Sequence, residues 1–329
     1  MSIINIKKCN WNCKSCKKIN KITKFYLYVI LSVSICYLIL NLNFFPVSSS
    51  PLSYNFAIVG DWGCTSDTKK TVKSIENKNP ELILNLGDIS YETNADCWLD
   101  IVDPIDEKMK ITIGNHDVIV PGLLKQYMDH FGLTKQYYSF NYNKIHFLSI
   151  STEFLYFQGS EQYKFVNKDL SEASKNPNIK WIIVFLHKPQ YSSGCGYHDS
   201  CEPFNKLRDA YHPLFEKYNV DLVFGGHAHN YQRTYPLMFN EKNSSVPIIT
   251  SNETKTYYDP NGQIYLIVGT GGIDIDPFSS KEPYIVYQQD DKFGFLNIDV
   301  TDDESILSGG FISNNGKILD KFEIRKKGK

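Results

Sequence analysis

The sequence predicts an α/β domain in which two β-sheets pack face to face and helices cover their outer sides. Three observations carry this expectation. After residue 51, short β-rich runs alternate with helical patterns. Four of those runs end in a Gly-containing turn rich in Asp, Asn and His, and a fifth ends in His187. From Gln263 onward the pattern changes to strands alone, which implies a second sheet and hence a layered body.

Strands are expected at residues 55–59, 82–86, 110–113, 145–150, 181–186 and 221–224, where β-branched and aromatic residues form short apolar runs. Between them, apolar spacing near 3.6 predicts helices at 66–78, 96–108, 123–131, 161–174 and 203–218. The runs IYLIVG, YIVYQQ, FGFLNIDV and KILDKFEI, separated by Gly, Asp and Asn turns, read as the later strands. No internal repeat or long linker interrupts residues 51–329, which therefore form one domain.

The 329 residues are 42% hydrophobic and 14% aromatic, enough for a sizeable core. Residues 1–24 hold seven lysines and no acid, so the net charge of −1 leaves the remainder near −8, with 28 basic residues against 36 acidic. That balance argues against a nucleic-acid partner. Residues 25–45 (FYLYVILSVSICYLILNLNFF) carry no charge and are close to the ~20 residues a helix needs to cross a bilayer. The expectation is a basic cytosolic tail at 1–24 and a signal-anchor at 25–45 that makes the membrane a partner. By the positive-inside rule the body then lies on the lumenal or extracellular side. A cleaved signal peptide ending near Val47, Ser48 and Ser49 is the rival, and would place the body in a secreted or lysosomal-type compartment.

Of eight cysteines, only Cys64, Cys97, Cys195 and Cys201 lie beyond the apolar run, where an oxidising compartment would join them. Four cysteines allow three connectivities, of which Cys195–Cys201 across a short loop, with Cys64–Cys97, is preferred. Sequons at Asn243 and Asn252 fall in a polar stretch that suits glycosylation on the lumenal side.

The chemistry is concentrated in five motifs that follow strand runs: GDWG (60–63), GDISY (87–91), GNHD (114–117), VFLH (184–187) and GHAH (226–229). Taken singly, Asp61 and Asp88 would be ordinary turn residues, Asn115 an Asn turn and Tyr91 a core aromatic. In this order, at the carboxyl edge of an α/β sheet, they supply two carboxylates, an amide, a phenol and three imidazoles. His227 and His229 alternate along an extended segment and so can share one face. His130, His146 and His212 have no such setting and read as surface or core residues, while Trp62, Tyr197, Tyr231 and Arg233 lie near motifs and suit packing at least as well as a pocket wall.

These motifs resemble those of the calcineurin-like metallophosphoesterases and, through Tyr91 three residues after Asp88, more narrowly the purple acid phosphatases; GTGG at 269–272 resembles that group's later glycine turn. The resemblance covers nearly all of residues 54–329 and implies a four-layer α-β-β-α sandwich of two mixed sheets. It implies Fe(III) on Asp61, Tyr91 and His229, a divalent Zn, Fe(II) or Mn on Asn115, His187 and His227, and Asp88 between them. Hard oxygen donors with a phenolate suit ferric iron, and imidazole with amide suits the divalent ion. The implied activity is that of an acid phosphatase: a hydroxide formed at the metal pair attacks a phosphate monoester in line. His116 is implied as the general acid, and His198 as a further substrate histidine. GNHD and the length agree with the small single-domain form. Phosphodiester or nucleotide pyrophosphate hydrolysis is the rival activity, and a membrane-attached scaffold that reuses the fold is the non-enzymatic one.

Overall fold

The computed structural model describes residues 52–194 and 204–327. The tail, the apolar run 25–45, the Cys195–Cys201 pair, Tyr197 and His198 therefore lie outside the described residues. Among the described residues, no helix is long and apolar enough to cross a membrane.

Two seven-stranded sheets form the centre of the described residues. In the first, β1 (Leu52–Val59) lies between β2 (Leu82–Asn85), which it pairs in parallel, and β14 (Gly294–Thr301), which it pairs antiparallel, Phe56 facing Ile298. The order continues through β3 (Met109–Ile111) on one side, and through β15 (Ile306–Ser313), β16 (Ile318–Arg325) and β11 (Thr256–Tyr258) on the other. The second sheet runs β13 (Ile285–Gln289), β8 (Tyr231–Thr234), β12 (Ile264–Val268), β7 (Leu222–Gly225), β6 (Trp181–Phe185), β5 (Ile145–Ser149) and β4 (Tyr138–Tyr142). A two-stranded ribbon, β9 (Leu237–Met238) with β10 (Ile248–Ile249), stands apart.

The strands after Gln263 do not build a sheet of their own: β14 to β16 extend the first sheet and β12 and β13 complete the second. Each sheet thereby mixes parallel and antiparallel pairs.

The facing sides of the sheets make one apolar core, seen where Phe56 meets Phe147 edge-on at 5.5 Å and Tyr231 meets Phe311 at 4.4 Å. Central strands are buried on both faces, which is why they read as unbroken apolar runs. Outside the second sheet, α5 (Glu161–Ala173) and α6 (Asn205–Lys217) cover it with Val166, Leu170, Leu207 and Tyr211. Outside the first lie α1 (Ser66–Lys78) and α2 (Asp96–Val102), contributing Val72, Ile75 and Trp98, and after β3 come the short α3 (Asn115–Ile119) and α4 (Leu123–His130). Thr65 caps α1 by accepting from the amides of Asp67 and Thr68, and Asn79 ends it in the left-handed region at φ 50°.

The helix expected to reach residue 108 stops at Val102, followed by a 3-10 turn over Asp106–Lys108. Pro104, which lacks an amide donor and crowds the preceding turn, accounts for the break. The sheets are tied by a buried bidentate pair: Arg233 on β8 donates through Nε to Asp320 Oδ2 at 2.7 Å and through Nη2 to Oδ1 at 2.8 Å on β16. Cys64, just after GDWG, is joined to Cys97 in α2.

Candidate metal centre

The parallel pairing of β1 with β2 continues past the strand ends. The amides of Asp61, Trp62 and Gly63 donate to the carbonyls of Gly87, Asp88 and Ile89 at 2.9–3.0 Å, so the GDWG and GDISY turns run side by side. Asp61 and Asp88 both occupy the left-handed region, at φ 60° and 50°, as do Tyr91 at 59° and His227 at 69°. Non-glycine residues adopt this conformation at a cost of ~1–3 kcal/mol, and such strain gathers at functional sites. Glycines admit the close approach: a Cβ on Gly114 would lie 2.2 Å from Asp88 Oδ1, and one on Gly226 2.6 Å from Asp61 Oδ2.

All seven side chains expected to ligate metals converge. Tyr91 Oη lies 3.3 Å from Asp61 Oδ1, 3.2 Å from Asp88 Oδ2 and 2.9 Å from His229 Nε2. On the other side, His187 Nε2 lies 3.1 Å from Asn115 Oδ1, 3.1 Å from His227 Nδ1 and 3.2 Å from Asp88 Oδ2. Two groups of donor atoms thus share Asp88, with Asp61, Tyr91 and His229 in one and Asn115, His187 and His227 in the other. The donor atoms of Asp88, His187 and His227 all lie within 4.8 Å of one another. His227 presents Nδ1 to the group, whereas His187 and His229 present Nε2.

The electrostatics favour cations. Burial and the Asp61 and Asp88 carboxylates together push the Tyr91 phenol well above its ordinary range, so it ionises only when positive charge arrives. Burial opposes charge on His187, yet Asp88 outweighs it and lifts the imidazole to about 9. For Asp88 itself burial again acts against charge, but His187 and the His116 amide hold the carboxyl below its usual range. Burial and repulsion from His187 lower His227 to about 2. In His229, burial is overcome by Asp274 and Asp61, which raise it to about 10. Protons thus stand where metals would. Two carboxylates, a phenol, an amide and three imidazoles gathered around the shared Asp88 fit a pair of metal ions.

His116 does not join the donors. Its amide donates to Asp88 Oδ1 at 2.8 Å, while its exposed ring lies over that of Tyr91, 4.3 Å between centroids. Trp62, Tyr231 and Arg233 are fully buried and pack. His130 pairs with Asp106, His146 bonds Asn141 and Asp169, and His212 is buried against Tyr191.

Sequence reasoning passed over three residues that shape the site. Asp117, buried, accepts from the amides of Asp88 and Gly114 through Oδ2 at 3.0 and 2.8 Å, and from Ile89 through Oδ1 at 2.9 Å, tying GNHD to GDISY. Asp274 meets His229 Nδ1, and the Leu86 carbonyl accepts from His187 Nδ1 at 2.8 Å. Asp117 was visible inside its motif, and Asp274 stands two residues after the GTGG turn; nothing in the sequence marks a backbone carbonyl.

A family model described as "Calcineurin-like phosphoesterase" matches residues 54–231. Purple acid phosphatase 15 of Arabidopsis thaliana is 28% identical over 320 residues, covering 84% of this chain and 54% of its own length. A nucleotide pyrophosphatase/phosphodiesterase of Hordeum vulgare is 25% identical over 294 residues, covering 80% of this chain and 76% of its own. The solved structure of a purple acid phosphatase from yellow lupin (Lupinus luteus) seeds shares the fold, with a TM-score of 0.71, 24% identity, and coverage of 83% of this chain and 54% of that one. The chain spans about half the length of the first and third of these proteins.

Proposed function

The chain belongs to the calcineurin-like phosphoesterase family, and from that premise we propose that it is an acid phosphatase of the purple type, hydrolysing phosphate monoesters at an iron–divalent metal pair. One observation carries the narrower reading: Tyr91 Oη sits between Asp61, Asp88 and His229 Nε2, at 3.3, 3.2 and 2.9 Å, where a phenolate ligand would belong. Asp61, Tyr91 and His229 would hold ferric iron, Asn115, His187 and His227 a Zn, Fe(II) or Mn ion, and Asp88 would serve both. Such a pair, when bound, places positive charge on phosphate oxygens and lowers the pKa of water toward ~7.

The remaining work falls to the chain. Backbone bonds to Asp117 fix Asp88, and Leu86 fixes the tautomer of His187, leaving its Nε2 lone pair for a cation. His116, whose exposed ring lies over Tyr91, is proposed as the donor of a proton to the departing ester oxygen. His198 is proposed as a second substrate contact on resemblance alone. Retention of all seven donors supports activity over a scaffold role. An anchor at 25–45 would hold this body on the non-cytosolic side of a membrane, where the sequons at Asn243 and Asn252 could be glycosylated; both asparagines are exposed.

The test is a visible absorption spectrum with metal analysis. The expected protein is purple with about two metals, and Tyr91→Phe loses the phenolate-to-iron band while remaining folded. A colourless wild type with two metals and phosphoesterase activity would overturn the tyrosine-ligated reading. The similarity to the barley protein supports a second reading as a phosphodiesterase, and faster turnover of bis-aryl phosphates than of aryl phosphates would favour it.

A further inference from the structure

We propose that Asp274 is a positioning residue for the iron-side histidine, setting both the tautomer of His229 and its strength as a donor. The inference rests on the two-group site just described. Asp274 Oδ1 meets His229 Nδ1, on the far side of the ring from Nε2, which faces Tyr91 Oη at 2.9 Å and Asp61 Oδ1 at 3.5 Å. A proton held on Nδ1 leaves the Nε2 lone pair directed into the donor group.

Asp274 is exposed, with 57% of its side chain accessible, yet its loop is fixed to the site. The amides of Gly272 and Ile273 donate to the Asp61 carbonyl at 3.1 and 3.3 Å, and that of Asp276 donates to the His229 carbonyl at 2.9 Å. The segment carrying Asp274 is thus bonded to the backbone of both Asp61 and His229.

The two halves of the site differ in this respect. His187 gives its Nδ1 proton to a neutral acceptor, the Leu86 carbonyl, whereas His229 gives its own to a carboxylate. A carboxylate partner makes the opposite imidazole nitrogen a stronger donor, and loss of such partners typically lowers metal affinity ~10–100-fold. The stronger donor stands in the group that also contains a phenol and a carboxylate, which suits the ion of higher charge. Asp274 therefore adds to the difference between the two halves that their oxygen and nitrogen donors already set, and strengthens the bias toward different metals.

The test compares wild type, Asp274→Asn and Asp274→Ala, each metal-loaded and titrated with a chelator. Asn keeps an acceptor but removes the charge, so the phenolate-to-iron band is expected to move to longer wavelength as the iron becomes the stronger Lewis acid. Ala is expected to release iron ~10-fold more readily while the divalent ion is retained as in wild type. Unchanged band position and unchanged iron release in both variants would overturn the proposal, as would equal loss of both metals. A wild type without the band would count against Tyr91 ligation instead. The inference is then read on zinc-loaded protein, where selective loss of one zinc from Asp274→Ala supports it and wild-type retention of both refutes it.

Discussion

A buried histidine far from the metal centre sets a cost on working in acid. His212 lies within α6 with its side chain fully inaccessible; its Nδ1 meets Tyr191 Oη at 2.7 Å, and its Nε2 stands 3.6 Å from Glu216, beyond hydrogen-bond reach. Burial, with a smaller contribution from the nearby Arg208 guanidinium, lowers its pKa from 6.5 to about 3, against weaker support from Gln263 and the Leu237 backbone. An unfolded chain takes up this proton near pH 6.5, and the folded chain resists until about pH 3. Between those values the unfolded state binds more protons, so stability rises with pH and is lost on acidification. At pH 4.5, two units below the unfolded pKa, the loss from this one group is about 2–3 kcal/mol. Urea denaturation of wild type and His212→Gln at pH 6.5 and 4.5 measures it. The variant is expected to be destabilised at pH 6.5 by its altered packing, but to lose about 2–3 kcal/mol less than wild type between the two pH values. Equal losses within ~0.5 kcal/mol would show that His212 is not held neutral and would refute the reasoning.

Two further outcomes test the frame of the site. Replacing Cys64 and Cys97 together by Ser opens a crosslink with a sequence separation of 33, and by chain entropy should lower unfolding free energy by about 3–4 kcal/mol, read from denaturation under non-reducing conditions. Asp320→Ala leaves the Arg233 guanidinium, 1% exposed, buried without its carboxylate, and should cost about 3–5 kcal/mol. The paired change Arg233→Met with Asp320→Leu should recover much of that loss, because the penalty comes from an uncompensated charge.

Much of the site was legible because its residues follow strands whose apolar runs are unmistakable, and four of the five motifs, all but VFLH, hold a glycine that admits close approach of neighbouring turns. Its supporting residues were less so. Asp274 and Asp117 act through other side chains or through amides, and their roles emerge only when the GNHD and GTGG turns are brought against GDISY and GHAH. In the fold, α1 was readable to its ends because Thr65 and Asn79 punctuate it. Which sheet each later strand would join was not, since β1 finds its neighbour in β14 some 240 residues on, a choice made by the shapes of both core faces. β8, with sequence YQRT, was missed because a buried strand carrying Gln and Arg is possible only when partners exist; Asp320 for Arg233 comes from the other sheet.

The same pairing logic explains why the centre can hold strained residues before any metal arrives. Asp61, Asp88, Tyr91 and His227 all adopt left-handed backbone, a combined cost of several kcal/mol if each is ~1–3. The continued β1–β2 pairing, the three amides gathered by Asp117, and the amides of Gly272 and Ile273 on the Asp61 carbonyl bond this backbone. The binding energy of a cation is then not consumed in bending the chain. What the metals must displace is protons, from His187, His229 and Tyr91, which the surrounding carboxylates have drawn to the site. The strand ends position the donors, and the charge around them makes cations the natural replacement for those protons.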